Sequence, residues 1–98
     1  MNEKSLERKL KREIERRGGV CWKFTSPGTA GVPDRVCIMP GGRVLFVELK
    51  GDDGRLQPIQ AARIQQMREL GADVRVLRGD LEEISDVLQT PPISKIRD

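Results

Sequence analysis

Histidine and tyrosine are absent from this chain of 98 residues, which contains only two cysteines, one tryptophan and two phenylalanines. The lack of histidine excludes general acid–base catalysis by an imidazole and the mixed cysteine–histidine zinc sites. Cys21 and Cys37 lie sixteen residues apart, with no C-x-x-C motif. We therefore expect two buried, reduced thiols, with a single disulfide as the alternative.

Long apolar runs are also missing. No run approaches the roughly 20 residues that a membrane-spanning helix needs, and the N-terminus is charged throughout, unlike a secretory signal peptide. We expect a soluble, cytoplasmic protein with no membrane partner. The length predicts one domain over residues 1–90, followed by a C-terminal tail at 91–98.

Charge is distributed unevenly along the chain. Residues 1–17 carry seven basic and four acidic side chains, and residues 18–78 carry nine basic and six acidic ones, which together give +6. Residues 79–98 carry two basic and five acidic side chains, which give −3. The basic part of the chain favours a partner that bears phosphate groups.

Glycine and proline residues divide the sequence into a predicted order of elements, αβββαβα. We expect a first helix that is capped by Asn2 or Ser5 and ends at residue 17. The further elements are predicted as strands at 20–24, 35–39, 44–50 and 72–77 and helices at 58–70 and 80–89. Trp22 and Phe24 are predicted to lie in the core, with stacking on a base as the alternative.

The most informative segment runs from Gly31 to Lys50. It begins with G-V-P-D at 31–34, continues through an apolar run and a Pro-Gly-Gly turn at 40–42, and ends with V-E-L-K at 47–50. Because side chains alternate along a strand, Glu48 and Lys50 point the same way, and the turn brings Asp34 back beside Glu48. Two carboxylates and an amine should therefore converge at one end of a two-stranded ribbon.

Such a cluster suits a divalent metal held against a phosphodiester. Mg²⁺ and Mn²⁺ prefer oxygen ligands, and Mg²⁺ keeps several waters while taking one or two carboxylates. The alternative is a surface salt bridge between Glu48 and Lys50. Against that alternative, residues 44–47 are apolar on both faces and predict a central strand, where charged side chains are costly unless they are paired or used.

These motifs resemble the PD-(D/E)xK nuclease superfamily, and more narrowly its VRR-Nuc branch in the small stand-alone form of phage and prophage genomes. The resemblance covers about residues 3–78. It implies an α/β, restriction-endonuclease-like fold in which helices flank a mixed four-stranded sheet. It also implies metal-dependent cleavage of DNA with Mg²⁺ or Mn²⁺, without an organic cofactor, inside a bacterial cell.

The resemblance assigns roles to particular residues. Asp34 and Glu48 match the metal-binding acids, and the main-chain carbonyl of Leu49 matches a further metal ligand. Lys50 matches the catalytic lysine. Gln60 matches the glutamine on the helix after the core, where its amide orients a water or a metal ligand.

An acid on the first helix completes the family pattern, and the match selects Glu7. Helix geometry leaves two or three of the four acids open, because both Glu7 and Glu3 border the apolar stripe at residues 6, 10 and 14. An i,i+4 ion pair between Glu7 and Lys11 is the alternative.

The likeness of this family to archaeal Holliday-junction resolvases implies a homodimer that cuts branched DNA. Two function classes remain as alternatives: a DNA-binding module or subunit of the same fold that needs a partner for cleavage, and a small protein-interaction domain. A candidate dimer surface is formed by Leu81, Ile84, Val87 and Leu88. The alternative is that these residues cover the sheet of their own monomer.

Overall fold

The computed structural model describes residues 2–79 together with Ile84, Ser85 and Leu88. Its elements are α1 (Glu3–Arg16), β1 (Val20–Lys23), β2 (Arg35–Met39), β3 (Arg43–Leu49), α2 (Pro58–Glu69) and β4 (Val74–Leu77). The sheet order is β1-β2-β3-β4, in which the first three strands are antiparallel and β4 runs parallel to β3. The mixed four-stranded sheet flanked by helices is the predicted fold.

The end of the chain contributes little to this description. The predicted helix at 80–89 and tail at 91–98 lie outside the described residues, except that Ile84, Ser85 and Leu88 are helical. Within the described parts of the chain, no helix is long and apolar enough to cross a membrane.

Local sequence signals fix the ends of the elements. The side chain of Asn2 accepts the Ser5 amide at 2.8 Å and so caps α1. Pro58 occupies the first turn of α2, where its missing N–H costs nothing. In the hairpin between β2 and β3, Gly41 has a φ of 89°, which a residue with a β-carbon rarely adopts.

Strand alternation divides the sheet into two faces. The face toward α1, called the core face here, carries the odd-numbered residues of β1, β2 and β3. Its cluster of buried side chains comprises Leu6, Leu10, Ile14, Cys21, Cys37, Met39, Leu45, Val47, Leu49, Leu77, Ile84 and Leu88. Cys21 and Cys37 face each other across β1 and β2 as free, buried thiols, so no disulfide joins them.

Two of the residues proposed above for a dimer surface belong to this core. Ile84 is 0% exposed and Leu88 is 5% exposed, so both pack inside one chain. Leu81 and Val87 lie outside the described residues. For Ile84 and Leu88 the alternative is therefore correct: they pack in the core of their own monomer.

The opposite face, called the site face here, is covered only in part. α2 packs against β4, and Ile64 and Val74 are each 3% exposed. Toward β1 the apolar residues are exposed instead: Trp22 is 58% exposed and Val44 is 38% exposed. The prediction of a core position for Trp22 is therefore wrong, and β3 is fully covered on one face only.

Candidate active site

The hairpin of β2 and β3 brings Asp34 and Glu48 together on the site face. Arg35 pairs with Val47, so the next position along each strand places Asp34 opposite Glu48. The main-chain N–H of Leu49 donates a hydrogen bond of 3.3 Å to Oδ1 of Asp34. The main-chain N–H of Leu49 thus lies against the Asp34 carboxylate, and the role of the Leu49 carbonyl as a metal ligand stays a prediction.

Glu48 is the centre of this cluster and is only 3% exposed. The Lys50 ammonium lies 3.5 Å from its Oε2, and the amide of Gln60 donates to the same oxygen at 3.2 Å. The other end of the Gln60 amide accepts the main-chain N–H of Gln57 at 2.8 Å. Because both ends of the amide are engaged, the Gln60 side chain has one defined orientation toward Glu48.

Gly31 explains how α2 comes close enough for this contact. A β-carbon built on Gly31 would lie 2.6 Å from the main-chain oxygen of Ile59, closer than packing allows. The same loop is fixed to α2 by Arg63, whose Nε donates to the Ala30 carbonyl at 3.0 Å. The glycine of the G-V-P-D motif therefore seats the start of α2, which carries Gln60, above the carboxylates.

The surroundings of the two carboxylates raise the pKa of both groups. Desolvation is the main cause that raises the pKa of Asp34, and the Leu49 amide opposes it. Desolvation and then the charge of Asp34 raise the pKa of Glu48, while Lys50 opposes them. Two neighbouring acids that resist ionisation together form a place where a cation is stabilising.

The donor set fits a hard divalent ion. Asp34 and Glu48 offer carboxylate oxygens, and the Leu49 carbonyl belongs to the backbone that contacts Asp34. In residues 2–79 and the three described positions beyond them, no three acidic, cysteine or histidine side chains are grouped closely enough to hold one ion. Two carboxylates with waters in the remaining positions suit Mg²⁺ and Mn²⁺.

Of the two candidate acids on α1, Glu3 is the one whose charge acts on both carboxylates. Its charge contributes to the raised pKa of both Asp34 and Glu48. Asn2 and Glu3 also line an open depression of about 410 Å³ whose other side is the loop at 51–54, directly after Lys50. The start of α1 and this loop thus face each other across a depression that adjoins the Lys50 end of β3.

Glu7 has a different partner. Its Oε2 lies 2.6 Å from Nη2 of Arg35, and Arg35 is 6% exposed. Alternation along β2 puts the Arg35 side chain on the core face, opposite to Asp34. Arg35 Nη1 also donates to the main-chain oxygen of Asp34 at 2.9 Å, so Arg35 links Glu7 to the backbone of the site.

Sequence reasoning overlooked Arg35. Its signal was weak, because one arginine at the start of an apolar strand is ordinary. A buried arginine needs an acidic partner, and an acid on the face of the first helix that borders the core is where that partner should be sought.

Comparisons with known proteins show which family the chain resembles. The VRR-NUC domain model matches residues 2–81. The chain is 38% identical over 88 residues to “Putative nuclease p44” of Acyrthosiphon pisum secondary endosymbiont phage 1, a match that covers 90% of this chain and 92% of that protein.

Two solved structures support the fold. A VRR-NUC domain superimposes with a TM-score of 0.81 at 27% identity, over 92% of this chain and 97% of that one. A second VRR-NUC domain protein gives a TM-score of 0.69 at 19% identity, over 91% of this chain and 87% of that one, and shows the fold alone. The chain belongs to the VRR-NUC family.

Proposed function

We propose that this member of a nuclease family is a divalent-metal-dependent DNA endonuclease that acts inside the cell. The observation that carries the proposal is the meeting of Asp34, Glu48 and Lys50 at one end of the β2–β3 hairpin, with the Leu49 amide 3.3 Å from Asp34 and the Lys50 amine 3.5 Å from Glu48. The net charge of +6 over residues 1–78 supports a phosphate-bearing substrate.

Asp34, Glu48 and the Leu49 carbonyl are proposed to hold Mg²⁺ or Mn²⁺. A bound ion supplies an activated water and a contact to a phosphate oxygen. Hydrolysis forms one bond from water oxygen to phosphorus and breaks one phosphorus–oxygen ester bond. Lys50 is proposed to stabilise the negative charge that develops during this exchange, as a compact cation does well.

Gln60 and the two acids of α1 are assigned supporting roles. Gln60 holds the Glu48 carboxylate in one orientation through its 3.2 Å hydrogen bond. Glu3, whose charge helps to raise the pKa of both Asp34 and Glu48, is proposed to orient water beside them. Glu7 is proposed as a positioning residue, because it holds Arg35, which in turn donates to the backbone of Asp34.

Branched DNA such as a Holliday junction is the proposed substrate, and a homodimer is the proposed active form. A four-way junction has approximate two-fold symmetry, and C₂ dimers are the commonest oligomers. Two identical sites at a fixed separation suit paired cuts in such a junction.

A cleavage assay tests the function. A labelled linear duplex and a four-way junction of the same sequences are incubated with the protein in Mg²⁺, Mn²⁺, Ca²⁺ or a chelator. We expect cleavage in Mg²⁺ or Mn²⁺ and none with chelator, and faster cleavage of the junction. DNA binding without cleavage in any metal would favour the partner-dependent module, and equal rates on both substrates would remove the junction preference.

Salt dependence tests the substrate class. Because phosphate contacts release counterions, affinity in Ca²⁺ should fall at least about tenfold between low and physiological salt. An affinity that salt does not change would show that the basic charge lies away from the DNA.

A further inference from the structure

The loop after Lys50 brings a second cation to the candidate active site. The N–H of Gly54 donates to the Gly51 carbonyl at 2.9 Å, so residues 51–54 form a tight turn. A β-carbon built on Gly54 would lie 3.2 Å from the β-carbon of Lys50, so this turn folds back onto the lysine. Nη1 of Arg78 donates to the Gly54 carbonyl. The Arg78 side chain therefore reaches the surroundings of Lys50 from another strand.

The register of the sheet leads to the same placement. β4 runs parallel to β3, Leu77 pairs with Leu49, and the Lys50 N–H donates to the Leu77 carbonyl at 2.9 Å. The next position along each strand therefore sets Arg78 beside Lys50, at the spacing of about 4.8 Å between neighbouring strands. Because Leu77 belongs to the buried cluster of the core face, alternation puts Arg78 on the site face.

Two neighbouring cations favour an anion between them. Like charges on adjacent strands repel each other, and Glu48, 3.5 Å from the Lys50 amine, compensates only the lysine at this distance. Arg78 is exposed, so an anion from solution can reach its guanidinium. The backbone of DNA carries such anions at close spacing.

A guanidinium is well suited to that anion. Its planar fork of five N–H donors binds the oxygens of one phosphate bidentately, and a hydrogen bond to a carbonyl is compatible with such binding. The contact with Gly54 also restricts the orientation of the Arg78 side chain. Part of the cost of ordering this long side chain is therefore met before DNA arrives.

We propose that Arg78 is a DNA-binding residue of the active site, which holds a backbone phosphate next to Lys50. The assignment rests on the proposed DNA substrate and gives the two cations different roles. Arg78 contributes to affinity, whereas Lys50 stabilises the charge that develops during cleavage. Loss of the Arg78 charge should thus weaken binding, and loss of the Lys50 amine should slow cleavage of DNA that is still bound.

Binding in Ca²⁺ over a series of salt concentrations tests the proposal without cleavage. The dissociation constant of a labelled duplex is measured by fluorescence anisotropy between about 50 and 200 mM KCl. Arg78→Gln removes the charge and keeps an amide that can donate to the Gly54 carbonyl. We expect affinity at the lowest salt to fall at least about tenfold, as for loss of one charged hydrogen bond. The slope of log affinity against log salt should become shallower by about 0.9, the value for one phosphate contact.

Two matched variants show whether charge and position both matter. Arg78→Lys keeps the charge and should retain the wild-type slope, with an affinity between those of the wild type and Arg78→Gln. Arg12→Ala removes the same charge from an exposed residue of α1, which packs on the core face, and should change neither the slope nor the affinity. Thermal unfolding followed by circular dichroism checks that each variant folds.

Three results would overturn the assignment. An Arg78→Gln protein with the wild-type slope and affinity would show that Arg78 serves only the loop at 51–54. A shallower slope in Arg78→Lys as well would point to the geometry of the loop instead of the charge. An equal change in Arg12→Ala would attribute the loss to the overall charge of the protein.

The binding assay keeps this proposal separate from the proposed cleavage. A wild-type protein that cuts no DNA in any metal, and whose slope changes as expected in Arg78→Gln, would refute the nuclease and support the phosphate contact. A protein that cuts DNA, and whose slope is unchanged in Arg78→Gln, would refute only the contact.

Discussion

The two faces of the sheet come from the same strands but differ in what they contain. On the core face, β3 contributes Leu45, Val47 and Leu49, all 0% exposed, and α1 seals them. On the site face, the same strand contributes Val44, Phe46 and Glu48. Within these five positions the side chains change from an exposed apolar one at Val44 to a buried charged one at Glu48. One face supplies stability, and the other carries exposed apolar side chains and the charged groups of the candidate site.

The difference in stability between the two faces can be measured by truncating neighbouring residues on opposite faces. Leu45→Ala should lower the free energy of unfolding by about 2–5 kcal/mol, because it opens a cavity in the sealed core. Val44→Ala, one residue away, should change it by about 0.5 kcal/mol or less, since the side chain is already 38% exposed.

Urea unfolding of dilute protein measures both changes. Dilution keeps any association between copies of the chain from contributing to the free energy of unfolding. Similar losses for the two variants would mean that the two faces are equally important for stability.

The second prediction concerns the charged end of the site face. Lys50→Ala should lower the cleavage rate about 100- to 1000-fold while DNA still binds in Ca²⁺, because it removes one preorganised electrostatic group. Asp34→Asn and Glu48→Gln should abolish cleavage because they weaken metal binding. Titration with Mn²⁺, monitored by electron paramagnetic resonance, measures that binding.

Lys23→Ala is the matched control, because it removes an exposed lysine from β1 without altering the cluster. It should leave the rate constant for cleavage unchanged. A Lys50→Ala protein with full activity would remove the assigned role of the lysine.

The two faces also differ in how far the sequence predicts them. The hairpin from Asp34 to Lys50 was predictable because alternation and a Pro-Gly-Gly turn leave few registers open, and β2 begins and ends at the predicted residues. α1 was predictable from its cap and its apolar stripe. In both cases the signal is local, and tertiary contacts agree with it.

The site face was harder to predict because burial there is decided by elements distant in sequence. Trp22 is a large apolar residue of the kind expected in a core. It is exposed because α2 lies over β4 rather than over β1. The partner of Glu7 could not be chosen from the helix alone, since Arg35 comes from a strand 28 residues further on. Periodicity gives the direction of a side chain but not what another segment places against it.

The third prediction separates the two acids of α1. Glu3→Gln should lower cleavage about 10- to 100-fold, as loss of an outer-shell group does, with little change in stability. Glu7→Gln should instead destabilise the fold by about 1–3 kcal/mol, because Arg35 would keep its burial and lose its charged partner.

Cleavage rates and urea unfolding of the same two preparations decide between these roles. Glu15→Gln on the exposed side of α1 serves as the control for removal of an acid. If Glu3→Gln cleaves DNA at the wild-type rate and Glu7→Gln is stable but inactive, the role in cleavage belongs to Glu7.

The smallest expected effect is on the stability of the metal-free protein. Burial raises the pKa of Asp34, and burial with the charge of Asp34 raises the pKa of Glu48. A carboxylate whose pKa is higher in the folded than in the unfolded chain binds protons more tightly in the native state. Ionisation of these acids therefore lowers stability as pH rises through the interval from the unfolded to the folded pKa.

Asp34→Asn and Glu48→Gln should accordingly raise the melting temperature in chelator at pH 7, and the gain should shrink toward pH 3, where most of both acids is protonated in the unfolded as well as the folded wild type. Addition of Mg²⁺ should raise the melting temperature of the wild type and not of the variants, because binding to the native state stabilises it. Thermal unfolding at the two pH values, with and without Mg²⁺, measures these changes. Variants that melt below the wild type at pH 7 would mean that the two carboxylates stabilise the metal-free fold, and the site face would then serve stability as the core face does.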